Sequence, residues 1–177
     1  FTNAMTFLSI NAVITYFLAE LGASTFEIGL ANALVSIGAV ISTPIFAKMV
    51  MNLPSKIKTF VNILLIQRIF FLLFVMCIPL FAESNPRLMV ILFLICWFVF
   101  SLFIGSYSPF YMSLFAKMIA EQQRGRLRGY SGGVANLIAL GSAFLTGILL
   151  KEVPFPYNYT FIFSLGILIL LVEAVNY

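Results

Sequence analysis

From residue 88 to residue 116 the chain carries no Asp, Glu, Lys or Arg, and most of its side chains there are aliphatic or aromatic. Coiled into an α-helix at about 1.5 Å per residue, such a run is long enough to cross the ~30 Å hydrocarbon core of a bilayer. In a small water-soluble domain it would have no polar face to turn outward. The run is not isolated. Uncharged stretches also cover residues 1–19, 28–47, 69–82, 129–150 and 153–172, with short charged segments between them.

Composition points the same way. The chain is 62% hydrophobic and only 9% charged, where soluble domains carry about 25% charged residues. It reads as an integral all-α membrane protein. A closed β-barrel would need alternating segments of about ten residues, and these runs are continuous. The net charge of +4 is no nucleic-acid footprint, because the few basic residues cluster in the gaps between apolar runs. The expected surroundings are a lipid bilayer.

Six spans are expected, at about residues 1–20, 25–50, 59–81, 87–113, 129–150 and 157–177. Ser24-Thr25-Phe26-Glu27 is an S-x-x-E capping box opening the second span. Pro86 and Pro156 suit the first turns of the fourth and sixth spans. One side of the membrane then receives Lys48, Lys56, Lys58, Lys117, Arg124, Arg126 and Arg128, and the other receives only Arg87 and Lys151. The basic side is the cytoplasmic one by the positive-inside rule. The 2–3 and 4–5 loops are therefore expected in the cytoplasm, and the location is expected to be a bacterial cytoplasmic membrane. Both ends of the chain look cut, so a fragment of a longer protein is expected.

The sequence contains no His and no Asp. That excludes a Ser/His protease, a His-ligated metal enzyme and an Asp-rich lipid-phosphate transferase as self-contained units. No catalytic residues, metal site or cofactor are expected. Cys77 and Cys96 lie in apolar runs and read as free thiols.

Residues 105–133 carry a Gly and a Pro late in the fourth span, Gly105 and Pro109. An Ala120-Glu121 pair follows, and then Arg124-Gly125-Arg126 with Gly129. This segment resembles the helix 4–loop–helix 5 region of the major facilitator superfamily. Residues 21–47 resemble that family's first loop and second helix, with L-G-x-S-x-x-x-I-G and Pro44 near the inner end. The resemblance implies a transporter's N-terminal six-helix bundle, built of two inverted three-helix repeats. It implies a second six-helix half of the same chain as partner, and rocker-switch alternating access for a small organic solute. Ala31, Asn32 and Ala39 recur as Ala135, Asn136 and Ala143 at one offset, in spans of opposite direction, as inverted repeats require.

There are departures. The family's G-x-x-x-D-R/K-x-G-x-R/K-R/K signature falls on Ala47, Met51, Asn52 and Pro54, with only Lys56 and Lys58 kept as basic residues. Ser101 stands where many proton-coupled members carry Arg, and residues 140–147 lack the G-P pair of many antiporters. Drug/proton antiport loses weight accordingly. The competing class is a six-helix channel, receptor or assembly subunit without transport.

Candidate site residues fall in three groups. Asn3, Asn11 and Thr15 share one face of the first span, and Trp97, Ser101, Gly105 and Ser108 one face of the fourth. Polar groups at membrane depth need partners. They either bond neighbouring helices or line a cavity for substrate, and the family resemblance implies the cavity. Arg68, about 13 Å past Thr59 along the third span, is the one cation well inside a span, and Glu173 is the one carboxylate comparably placed. A central Arg costs about 2.5–3.5 kcal/mol on insertion scales, so it either pairs with Glu173 or snorkels to the interface. Lys56, Lys58, Glu121, Arg124, Arg126 and Arg128 form a cytoplasmic group that fixes topology or takes part in gating. Small residues line the fifth span at Ala135, Ala139, Ala143 and Gly147 and the second at Ala31, Ala39, Thr43 and Ala47. Both lines suit close helix packing, either within this bundle or, as the family resemblance implies, against a second half.

Overall fold

A computed structural model describes residues 13–53 and 55–175, so Asn3 and Asn11 lie outside the described residues. The helices are α1 (Thr15–Glu20), α2 (Thr25–Asn52), α3 (Lys56–Phe81), α4 (Pro86–Met118), α5 (Glu121–Glu152) and α6 (Tyr157–Val175), and no strand occurs among the described residues. α2 to α6 are each long and apolar enough to cross a membrane.

Local chemistry sets the helix ends. Gly22 takes φ +74° after α1, a conformation that costs glycine nothing. Its N–H donates to Ala19 O at 3.0 Å, and that of Ala23 to Leu18 O at 2.9 Å, closing a Schellman motif. Ser24 follows at once as the N-cap of α2. Its Oγ accepts from the Glu27 N–H at 3.3 Å, and its own N–H donates to Glu27 Oε2 at 2.8 Å. The other carboxylate oxygen, Glu27 Oε1, meets Arg87 Nη1 at 2.6 Å. The capping box thus also ties the start of α2 to the start of α4, where Pro86 occupies the first turn.

α5 begins at Glu121, about two turns before the expected start at residue 129. The R-G-R-L-R stretch is helix rather than loop. Arg and Gln are good helix formers, and Glu121 complements the positive end of the helix dipole. Gly125 and Gly129 have open space where a side chain would stand, so neither makes a turn or a close approach.

α4 is the centre of the bundle, packing on α2 and α3, while α3 packs on α6. The main core is aromatic. Trp97 stacks between Phe93 and Phe100, with centroids 5.6 and 5.3 Å away, and Phe71 of α3 tilts against it at 5.8 Å. Phe17 of α1 reaches the same core, edge-on to Phe93 and to Phe163 of α6. α5 is the least buried of the five spanning helices and touches α6 lightly.

The α2–α4 seam is the tightest. A methyl group at Gly38 would come within 2.7 Å of Ser101 Cβ and 2.8 Å of its carbonyl carbon. One at Gly105 would run into Ser42 Oγ and stand 3.0 Å from Ala39 O and Thr43 N. Gly38-x-x-x-Ser42 therefore faces Ser101-x-x-x-Gly105. Lipid gives no hydrophobic drive to helix association, so such backbone proximity and its dispersion contacts do that work. The hydroxyls of Ser42, Thr43 and Ser101 donate to carbonyls one turn back, at 2.6–2.7 Å, so no polar group is stranded at the seam. Ala31 is buried in α2, but Ala47 is exposed, and in α5 the buried positions are Ser142 and Thr146 rather than Ala143 and Gly147. At Ala47, Ala143 and Gly147 the small residues therefore do not pack within this bundle.

Gly38→Ala should lower the melting temperature of the detergent-purified protein, by the equivalent of about 1–3 kcal/mol of overpacking. Gly29→Ala, where nothing stands within 4 Å, should leave it unchanged or raise it.

Candidate functional site

Arg68 is 1% exposed, deep in α3. Its Nη2 lies 3.0 Å from Glu173 Oε2 on α6, and Tyr107 of α4 donates its hydroxyl to Glu173 Oε1 at 2.9 Å. One carboxylate therefore takes a guanidinium on one oxygen and a phenol on the other. Next to Arg68, the Gln67 amide donates to Phe100 O on α4 at 2.9 Å. Three polar links thus join α3, α4 and α6 pairwise. Phe60, Phe110, Leu64 and Ala174 form a small apolar cluster at this level. Phe60 stacks on Phe110 with centroids 5.2 Å apart and meets the Tyr107 ring edge-on at 5.7 Å. Neutralisation within the helix triangle, rather than snorkelling, is how Arg68 is accommodated.

The α4 candidates divide. Trp97 is 1% exposed inside the aromatic core, and its Nε1 has no hydrogen-bond partner among the described residues. Ser101 and Gly105 are buried against α2. These three do not face open space: the ring stack and the backbone approach of α2 occupy their surroundings. Ser108 is exposed, and Thr15 on α1 is half-buried.

At the basic end of the bundle, Lys56 Nζ donates to Ser113 Oγ at 2.9 Å, linking the start of α3 to the last turns of α4. Arg124 Nε donates to Ile119 O at 2.9 Å, and Arg124 Nη1 lies 3.7 Å from Glu121 Oε1. The Glu121 side chain is exposed, so that pair adds little. Arg126 sits 5.6 Å over the Tyr130 ring. Arg128 crosses back to α4, 5.0 Å over Phe115, with Nη2 at 3.2 Å from Met112 Sδ. Lys58 is exposed.

Sequence reasoning missed four partners: Tyr107 for Glu173, Arg87 for Glu27, Ser113 for Lys56, and the facing pair Gly38 and Ser42. The last had a readable signal, a small-x-x-x-small pair in α2 matching the one in α4. The others join positions far apart in the chain and have no local signature.

A bundle with five helices long and apolar enough to cross a membrane, and with its deep Arg68 neutralised internally, is an integral multi-pass membrane protein. The chain matches the family model of the Major Facilitator Superfamily over residues 1–175 and belongs to that superfamily. It is a membrane transporter protein of the major facilitator kind, a family of transporters rather than enzymes. No curated protein and no solved structure matches it.

Truncating Arg68 to Ala would leave Glu173 charged in an apolar surround. Unfolding in detergent should show a loss of about 3–5 kcal/mol for R68A, and a smaller one of about 1.5–3 kcal/mol for Tyr107→Phe, which removes one hydrogen bond to a charged group. The charge exchange R68E/E173R should recover part of the R68A loss. Equal stability of R68A and wild type would remove the pair as a structural element.

Proposed function

We propose that the chain is the N-terminal six-helix half of a secondary or facilitative transporter that moves a small organic solute by rocker-switch alternating access. The family membership carries this reading. The outer surface of α5 supports it. Gly132, Gly133, Gly141 and Gly147 are exposed there with open space around them, as is Ala143. Small residues suit contact with another helix better than contact with lipid tails. α5 is therefore the face offered to a second bundle, and its light packing within this one leaves it able to slide.

The bundle consists of six spans in two inverted three-helix repeats, and the repeated Ala-Asn and Ala positions of the second and fifth helices support that pairing. The basic end, with seven cations against two, faces the cytoplasm of a bacterial cell membrane. Substrate contacts come from the first and fourth helices. Asn3, Asn11, Thr15 and Ser108 give this half's polar share, while Trp97, Ser101 and Gly105 form the wall behind it. None of these residues is charged, which favours a neutral or amphipathic solute. Lys56, Lys58, Glu121, Arg124, Arg126 and Arg128 hold the cytoplasmic helix ends and take part in gating.

The test is counterflow with the full-length protein in liposomes, across a panel of neutral and amphipathic organic solutes. Saturable, trans-stimulated uptake is expected. Thr15→Ala and Ser108→Ala should each slow it about five-fold, the size of one lost hydrogen bond, with little change in melting temperature. Flux that rises without saturation would instead indicate a channel, and unchanged counterflow in both variants would remove the site assignment.

A further inference from the structure

The basic end of the bundle holds a cavity of about 500 Å3 between the first turn of α3 and the last turns of α4. Two lysines line it, Lys56 and Lys117, along with the hydroxyls of Ser55 and Ser113. No carboxylate belongs to the lining. The bond from Lys56 Nζ to Ser113 Oγ at 2.9 Å holds one ammonium at the α3–α4 seam and uses one of its three donors. Lys117, near the end of α4, is exposed. Ser55 is the N-cap of α3 but makes no side-chain capping bond, so the positive end of that helix adds to the same field. Positive charge and hydrogen-bond donors thus converge from two helices on one hollow with no counter-charge built into it.

The rest of the lining is apolar: Ile57, Leu114 and Met118. Ile57 and Met118 are also exposed. α3 and α4 are both apolar enough to span the bilayer, so the cavity opens where their apolar surface gives way to charge. Two ammoniums beside an apolar wall there match the phosphate headgroup of a lipid whose acyl chains lie along the wall. A free oxyanion would use only the polar half.

We infer that this cavity binds a phosphate-bearing anion, with the phosphate between Lys56 and Lys117. The apolar wall identifies its source as an anionic phospholipid of the surrounding leaflet. Such a lipid cross-links the start of α3 to the end of α4 and strengthens the Lys56–Ser113 seam.

The test is native mass spectrometry of the full-length protein released from detergent, counting adducts of phosphatidylglycerol, phosphatidylcholine and inorganic phosphate. Wild type should retain phosphatidylglycerol well above phosphatidylcholine. Lys56→Gln and Lys117→Gln should each weaken that retention about five-fold, as about 1 kcal/mol per charge near an anionic headgroup implies. K56R/K117R should keep it, which separates loss of charge from loss of fold, and Lys151→Gln at the opposite end should leave it unchanged. Binding of inorganic phosphate that depends on both lysines, as strong as that of the lipid, would keep the anion site and overturn the lipid source. Equal phosphatidylglycerol retention by K56Q/K117Q and wild type, or no preference for it over phosphatidylcholine, would overturn the site.

Discussion

A guanidinium buried at membrane depth has to be neutralised from within, and that requirement organises the basic half of the bundle. Arg68 can meet Glu173 only if α6 lies against α3 with residue 173 level with residue 68. Glu173 can also accept from Tyr107 only if α4 completes a triangle with both. A shift of α6 by one helical turn, about 5.4 Å, would break both bonds at once. Apolar contacts between helices in lipid have no comparable register, because one Leu or Phe substitutes readily for another. The polar triangle therefore fixes how far each helix is pushed through the membrane, while Phe60 and Phe110 close the space around it. Such a pair is poor at adding net stability over an apolar replacement. Its effect is to make one register much better than the next.

The other seam works by the opposite means. α2 and α4 meet through missing side chains, Gly38 against Ser101 and Gly105 against Ser42, and their outer ends are joined by the Glu27–Arg87 pair. α2 and α4 are thus held by backbone proximity along their length and by charge at one end. α3, α4 and α6 are held by the polar triangle, and the two groups share α4. What remains loosely attached is α5, whose buried positions are few and whose small residues face outward. For the alternating access proposed above, a rigid set of helices with one loosely held member would let the bundle keep its own core while its interface slides.

Much of this was legible in the sequence, and the parts that were share a cause. The spans follow from uncharged run lengths. The α2 start follows from Ser24 and Glu27, because a capping box is a local device whose partners lie three residues apart. The Arg68 and Glu173 partnership could be raised because each is the sole deep charge of its sign, so the choice was between pairing and snorkelling. The illegible parts depend on rotation and on neighbours. Trp97 stacks on Phe93 and Phe100 of its own helix, but whether that face meets a cavity or a packed core is decided by Phe71 on another helix. The start of α5 is not legible from charge, because Arg124, Arg126 and Arg128 sit on helical turns beyond the apolar stretch. A charged segment ends a membrane span without ending the helix.

That last distinction bears on how the basic end acts. Because α5 is helical from Glu121, its arginines are carried on a rod rather than on a slack loop, and each has a defined reach. Arg128 reaches back to Phe115 and Met112 of α4, Arg124 bonds the carbonyl of Ile119 in the connection, and Arg126 lies along its own helix over Tyr130. Among the described contacts, those of Arg128 and Arg124 tie α5 to α4 and to the connection, and they include a cation–π contact, a weak sulfur contact and a backbone bond. Each is worth about 1 kcal/mol, more only for the charge-assisted bond. α3 is tied differently at this end, by the bond from Lys56 to Ser113 of α4. Met51, which the resemblance puts at the Asp of the family signature, is exposed here. In the alternating access proposed above, closure on this side draws its strength from contacts outside this bundle, or from anions drawn to its net positive charge.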